Sequence, residues 1–197
     1  MNDCAVINDA KKDGPKHQHH PEFTQSSYMR LRSLEEAFLM SNYLDALKGK
    51  TGDQVINAYD RSYGIQKIFD LHAKKDYKLE SLFLAAGILD RYIYVVGPSN
   101  FQKSQMVCLA TISVLLSAKI EQPISPSFTR MINLLGEEEK KYVSKKALID
   151  LEANIIMTMG FDFNFPGPIQ SMERYLRLLG SDLNKTIYDM AFQICKF

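Results

Sequence analysis

The run of residues Leu82-Phe83-Leu84-Ala85-Ala86-Gly87-Ile88-Leu89-Asp90-Arg91-Tyr92 is apolar on nearly every face of a helix. The surrounding pattern extends this predicted helix from Ser81 to Val96, and Gly97-Pro98 ends it. A helix that is apolar all round belongs in the interior of a protein. We therefore expect this helix to be central and enclosed by others.

The flanking sequence predicts the enclosing helices. Apolar residues recur at helical spacing, and each run is closed by glycine, proline or a polar joint. Phe161 to Phe165 alternates with period two, but it is short and has no partner run, so we expect an extended linker. The fold class is all-α. Helices are predicted over 52–75, 101–119, 125–135 (capped by Ser125 or Ser127), 144–159 and 169–179, with another beginning at 182.

The N-terminal part has a different composition. Residues 1–26 are polar and without periodicity, which is typical of a flexible tail. Within residues 27–50, an amphipathic helix is predicted from Arg30 to Lys48. Phe197 ends the chain inside an apolar helical pattern, which favours a fragment of a longer chain over a complete short protein.

Composition excludes several classes of protein. The chain has 197 residues, 46% of them apolar, and 24 basic against 23 acidic side chains, so a net charge of +1. That balance gives no general attraction to nucleic acid or anionic lipid. The three cysteines form no CxxC pair, which favours a reducing compartment. No secretory signal begins the chain, and Met106 to Leu116 is too short to span a bilayer, so we expect an intracellular protein without a membrane partner.

No cluster of catalytic groups is visible, so we expect no enzyme, no cofactor and no small-molecule substrate. The chain contains neither GxxxxGK[ST] nor GxGxxG, and no recognisable nucleophile motif. His17, His19 and His20 could ligate a metal, but without Cys or carboxylates at fixed spacing we expect no metal site.

Two charges interrupt apolar runs. Lys119 follows Leu115-Leu116-Ser117-Ala118, and Glu152 lies between Leu151 and Ile155. Charges in such places are costly unless they are paired, and at the surface they suit capture of another protein. The alternatives are a lysine that terminates a helix at its negative dipole end and an ordinary surface acid.

Four motifs resemble the cyclin box when read in order. Leu82 to Tyr92 resembles its second-helix signature, and Leu116-Ser117-Ala118-Lys119-Ile120-Glu121 resembles its third-helix ending. Leu151 to Phe163 resembles the fifth helix and its exit, and Pro166-Gly167-Pro168 with Glu173-Arg174-Tyr175-Leu176 resembles the entry to a second repeat. The similarity covers roughly residues 34 to 180 and is nearest to mitotic A/B-type cyclins.

This resemblance implies a five-helix cyclin-box bundle over 51–165, preceded by an N-terminal helix. Residues 166–197 would be the linker and the start of a truncated second repeat. It implies a regulatory subunit, itself not an enzyme, that binds and activates a cyclin-dependent Ser/Thr kinase in cell-cycle control, in the nucleus and cytoplasm.

The resemblance also assigns residues. Lys119 and Glu152 match a lysine and an acid that bond to the kinase backbone, and Arg61 and Asp90 match a buried structural pair. The aromatic of Met40-Ser41-Asn42-Tyr43-Leu44 matches one that packs on the kinase. Apolar kinase contacts are implied at Leu116, Ile120, Ile156, Phe161 and Phe163.

One family feature is altered. Cyclins open their first helix with Met-Arg-Ala-Ile-Leu and carry a tryptophan there, at a patch that docks Arg-x-Leu peptides. Here the stretch is Asp60-Arg61-Ser62-Tyr63-Gly64, Lys67 falls near the tryptophan position, and the chain has no Trp. Two alternative functions remain at this point: a transcription-factor-type cyclin fold that binds DNA or a basal factor, and a kinase-independent protein-interaction module.

Overall fold

A computed structural model describes residues 21–45, 56–180 and 184–195. All the regular structure in these ranges is helical, and they contain no strand, so the predicted all-α class is confirmed. The described residues belong to two compact units. One is Met40–Phe165, and the other comprises the described parts of Met1–Leu39 and Pro166–Phe197.

The helices are short to medium in length and follow one another closely. They are α1 (Pro21–Ala37), α2 (Ala58–Ala73), α3 (Leu79–Val96), a 3-10 turn (Lys103–Gln105), α4 (Met106–Glu121), α5 (Phe128–Ile132), α6 (Glu137–Lys140), α7 (Lys145–Thr158), α8 (Pro168–Leu178) and α9 (Lys185–Cys195).

Helix α4 is the centre of the Met40–Phe165 unit. Every residue from Cys108 to Ala118 is buried, and the helix packs against α2, α3, α5 and α7. The sequence had placed the Ser81–Val96 helix there, and this was wrong: α3 leaves Tyr94 and Val95 exposed. Three hydroxyl residues of α4, Thr111, Ser113 and Ser117, are buried in this core. Thr111 Oγ1 donates to the carbonyl of Val107 at 2.7 Å, which satisfies one such hydroxyl inside the core.

One helix among the described residues has the length and composition of a membrane span. It joins the 3-10 turn to α4 and covers Lys103–Glu121, with a mean hydropathy of 1.3. The apolar run Met106–Leu116 is too short to span a bilayer, but the longer helix that contains it is not. Within the structure, 67% of that window is buried, as expected for the core helix of a globular unit.

Side-chain caps fix where several helices begin. Asn57 Oδ1 accepts from the backbone N–H groups of Tyr59 and Asp60, and the Asp60 carboxylate accepts from the Asn57 N–H. Ser127 and Ser144 cap α5 and α7 in the same way. Of the two serines predicted to cap the helix after Pro123, the structure uses Ser127.

The N-terminal helix differs from its prediction at both ends. Helix α1 begins at Pro21, inside the predicted tail, and ends at Ala37 instead of near Lys48. The chain is no longer helical after Ala37, and Asn42 bonds locally beyond that point: its Oδ1 accepts from Leu44 N–H, and its Nδ2 donates to Asp45. Residues 1–20 and 46–55 lie outside the described ranges, so the rest of the tail and of the predicted helix is not described.

The second unit combines α1, α8 and α9. Helices α8 and α9 pack on each other, and the Arg174 guanidinium lies 4.3 Å from the centroid of the Tyr28 ring. Pro168 opens α8 at a position where its missing N–H costs nothing. Buried apolar residues in this unit are Ile169, Met172, Leu176 and Phe192.

The connection from α7 to the unit's end is extended, not helical. Phe163 and Phe165 pack against the core, 6.5 Å apart between ring centroids. The Phe165 ring lies against Gly87 so closely that a Cβ at position 87 would come within 2.6 Å of it. This connection is therefore anchored by its aromatics, and a glycine in α3 provides the space for one of them.

Candidate protein-binding site

The structure brings Lys119 and Glu152 together, although 33 positions separate them. Lys119 Nζ donates to Glu152 Oε1 at 2.6 Å. The lysine lies in the last turn of α4 and the glutamate in the second half of α7, and these two helices pack directly on each other. The pair therefore lies at one edge of the core.

Both groups remain partly open to solvent. The Lys119 side chain is 35% exposed and that of Glu152 is 15% exposed. An ammonium has three N–H donors and a carboxylate has two acceptor oxygens, and the pair uses only one of each between its members. The remaining donors and acceptor can bond to the backbone groups of another protein.

Exposed apolar side chains lie close to the pair in the sequence. Ile120 is 47% exposed and Phe161 is 72% exposed, whereas Ile156 and Phe163 are partly buried against the core. Ile124 and Met157, which the sequence analysis did not select, are also exposed. Exposed apolar residues together with a partly exposed charged pair are the composition of a protein-binding surface.

The backbone at Phe161 is in the left-handed region. Its φ is +61°, directly after Gly160 at +59°. The turn is held by hydrogen bonds from Phe161 N–H to Ile156 O and from Asp162 N–H to Met159 O, both 3.1 Å. A non-glycine residue in this conformation costs of the order of 1 kcal/mol. The exposed aromatic of Phe161 is therefore held in a defined position by the turn that ends α7.

Two predicted contact residues are inside the fold instead. Leu116 is only 4% exposed and is part of the core cluster, because it faces inward one turn before Lys119. Tyr43 is 8% exposed, and its hydroxyl donates to Asp90 Oδ1 at 2.7 Å. Neither side chain has enough free surface to meet a partner in this conformation, so we leave both out of the candidate surface.

Tyr43 joins the predicted structural pair. Arg61 on α2 binds Asp90 on α3 through two parallel hydrogen bonds of 2.7 Å, so one carboxylate serves both the guanidinium and the tyrosine hydroxyl. The hydrogen bond to Asp90 is the largest influence on the pKa of Arg61 and raises it, whereas burial and then the Asp90 charge raise the pKa of Tyr43. The pair is half-buried, not fully buried, since the Arg61 side chain is 37% exposed.

The altered helix opening forms a groove. It has a volume of about 440 Å³ and contains the Lys103–Asp60 ion pair at 2.8 Å. Three exposed tyrosines lie along it, two of them one helical turn apart on α2. The lining residues are Tyr59, Asp60, Tyr63, Lys103, Ser104, Met106, Val107 and Tyr142.

Lys67, which stands near the family's tryptophan position, has a polar role. Its Nζ lies 2.6 Å from Glu139 Oε1, and the other Glu139 oxygen accepts from the Gly136 N–H at 2.9 Å. Burial lowers the pKa of Lys67, but the hydrogen bond and charge of Glu139 outweigh it and the net shift is upward. Burial likewise raises the pKa of Glu139, and its bonds to Lys67 and Gly136 turn the net shift downward.

The described ranges hold no cluster of three or more His, Cys, Asp or Glu side chains suited to a metal. The His17, His19 and His20 tract lies outside those ranges.

Comparison with known proteins identifies the family of this helical chain. The family model described as "Cyclin, N-terminal domain" matches residues 26–164. The chain belongs to the cyclin family, and its sequence is nearest to B-type cyclins.

Three relatives show the degree of similarity. The chain is 24% identical to mouse G2/mitotic-specific cyclin-B3 over 198 residues, covering 98% of this chain and 13% of that protein. It is 26% identical to Arabidopsis thaliana Cyclin-B2-3, covering 72% of this chain and 30% of the relative. It is 28% identical to G2/mitotic-specific cyclin CLB2 of Candida albicans, covering 58% and 22%. The chain thus spans less than a third of each of these three relatives.

Proposed function

We propose that this chain is a regulatory subunit that binds and activates a cyclin-dependent Ser/Thr protein kinase in cell-cycle control, and that it is not itself an enzyme. The observation that carries the proposal is the Lys119–Glu152 pair, 2.6 Å apart and still partly exposed. Similarity to relatives named as mitotic cyclins supports the same proposal.

Recognition would use three kinds of contact. Lys119 would donate to backbone carbonyl groups of the kinase, and Glu152 would accept from its backbone N–H groups. Exposed Ile120 and Phe161 would cover apolar kinase surface. Hydrogen bonds to charged groups contribute about 1.5–3 kcal/mol each when they are desolvated, so loss of both should abolish measurable binding.

The test measures binding of the purified chain to purified cyclin-dependent kinases by biolayer interferometry, together with phosphorylation of a peptide substrate. We expect the wild type to bind at least one kinase and raise its activity. A variant with Lys119→Met and Glu152→Gln should lose both effects with unchanged helicity by circular dichroism.

The matched control is the Lys141–Glu138 pair of the same unit, which also has a 2.6 Å Nζ–Oε1 distance but is more exposed, 61% and 81% for the two side chains. Lys141→Met with Glu138→Gln should leave binding unchanged. Normal binding by the Lys119/Glu152 variant would remove the site assignment, and failure of the wild type to bind any kinase would remove the proposed function.

The same proposal locates the chain in the nucleus and the cytoplasm. A fluorescent fusion followed through the cell cycle tests this part separately. Confinement to another compartment would contradict it.

A further inference from the structure

The Lys119 ammonium has a second neighbour, the ring of Phe128. Its Nζ lies 4.9 Å from the centroid of that ring. This distance is within the range of about 6 Å over which a cation is attracted to an aromatic face. The ring comes from α5, so three helices meet at this lysine: α4 carries it, α7 supplies Glu152 and α5 supplies the aromatic.

The local structure fixes Phe128. It is the first residue of α5, directly after Ser127, whose hydroxyl accepts from the Arg130 N–H at 3.3 Å. Its ring is partly buried against the core. Pro123 and Pro126 restrict the α4–α5 connection that leads to it, and Pro126 is buried. The ring is therefore a rigid surface, whereas a lysine side chain has four rotatable bonds.

We propose that Phe128 is a positioning residue for Lys119: its ring and the Glu152 carboxylate together hold the ammonium so that a remaining N–H points outward for a partner's carbonyl. The identity of the partner as a kinase rests on the proposed function, but the positioning of Lys119 by Phe128 is a property of the free chain. Ordering a free lysine upon binding costs conformational entropy. A lysine already held between an acid and an aromatic loses less, so the ring should strengthen binding without touching the partner.

The first experiment uses the free chain and needs no kinase. Protons above an aromatic ring are shielded by its ring current, so the Lys119 ε-CH2 signal should lie upfield of the other lysines in a 1H–13C spectrum of lysine-labelled protein. Lys119→Arg assigns the signal by its disappearance. We expect the upfield position to persist in Phe128→Tyr and to be lost in Phe128→Leu. An ordinary Lys119 shift in the wild type would overturn the proposal.

The second experiment measures affinity for the kinase bound by the wild type. Phe128→Leu should weaken binding by roughly two- to fivefold, the size of a half-exposed cation–aromatic contact, and Phe128→Tyr should restore it. In a Lys119→Met background the same Phe128→Leu change should have no further effect. If Phe128→Leu weakens kinase binding equally in the wild type and in the Lys119→Met variant, Phe128 acts on the fold and not through Lys119.

The two failures are distinguishable. Absence of kinase binding by the wild type contradicts the proposed function alone, because the ring-current shift still reports the positioning. If the Lys119 ε-CH2 signal of the wild type has the same chemical shift as the other lysines while the kinase still binds, the positioning alone is contradicted.

Discussion

The hydroxyl of Tyr43 lies 2.7 Å from the carboxylate of Asp90, 47 positions further along the chain. This contact attaches the segment after α1 to α3, in the Met40–Phe165 unit. Because Asp90 also receives two hydrogen bonds from Arg61, one side chain connects three parts of that unit.

Asp90 should therefore be worth much more to stability than Tyr43. We expect Asp90→Asn to lower the free energy of unfolding by about 2–3 kcal/mol, since it leaves a half-buried guanidinium without its charged partner. Tyr43→Phe removes one hydrogen bond and should cost about 1 kcal/mol. Urea unfolding followed by circular dichroism measures both changes. If the Asp90 variant is no less stable than Glu138→Gln, an exposed control, the network does not stabilise the unit.

The Lys67–Glu139 contact should make stability depend on pH at both extremes. The pKa of Glu139 lies below its usual 4.5, so its contribution is complete above that value and is lost as pH falls through the lowered pKa. The pKa of Lys67 lies above its usual 10.5, so its contribution is complete below that value and is lost as pH rises through the raised pKa.

Glu139→Gln should consequently cost stability near neutral pH and almost none at low pH. Both side chains are 17% exposed, so we expect a loss between that of an exposed and that of a buried pair, about 1–2 kcal/mol at pH 7. Thermal unfolding of the wild type and the variant at pH 3 and pH 7 measures the difference. If the difference in stability between the wild type and Glu139→Gln is as large at pH 3 as at pH 7, the Lys67–Glu139 ion pair does not stabilise the protein.

Two serines of α4 form a matched pair. Both are fully buried, but Ser117 Oγ donates to Val114 O at 3.0 Å, whereas Ser113 Oγ has no partner within the described residues. Ser113→Ala should raise stability by about 1 kcal/mol, since an unsatisfied buried hydroxyl is destabilising. Ser117→Ala receives the same gain in helix propensity and loses a hydrogen bond, so it should be less favourable. If the two substitutions change the free energy of unfolding equally in chemical denaturation, the Ser113 hydroxyl has a hydrogen-bond partner.

Leu116 and Ile120 lie one turn apart and should separate folding from binding. Leu116→Ala removes a buried side chain and should destabilise by about 2–5 kcal/mol. Ile120→Ala removes a half-exposed one and should change stability by no more than about 1 kcal/mol while weakening kinase binding. Unfolding midpoints and kinase affinities of both variants provide the comparison. A destabilised Ile120 variant would place that residue in the core.

The sequence predicted most of the longer helices well because each of these has an apolar periodicity or a capping residue of its own. Ser144, the predicted start of its helix, precedes α7, and Ser127, one of two predicted caps, precedes α5. It misjudged which helix is central because the sequences of α3 and α4 are similarly apolar, and only the packing shows that α4 contacts α2, α3, α5 and α7. It extended α1 too far because the apolar periodicity of the sequence continues to Leu47, whereas the helix ends at Ala37.

The site was predictable only in part. Lys119 and Glu152 were visible because a charge in an apolar run is unusual. Phe128 was not, because its contact with Lys119 crosses from α5 to α4 and no local pattern records it. Leu116 and Tyr43 were assigned by resemblance alone, and the resemblance does not show that both side chains are buried in the free chain.

Phe161 is exposed and has a left-handed backbone, so selection for stability and selection for binding should favour different residues at this position. In a library randomised at position 161, directed evolution for heat resistance alone should discard phenylalanine in favour of glycine or asparagine, which adopt a φ of +61° with less strain. Selection for capture of a kinase should retain the aromatic. If the two selections favour different residues, position 161 is one where a residue that aids binding lowers the stability of the protein.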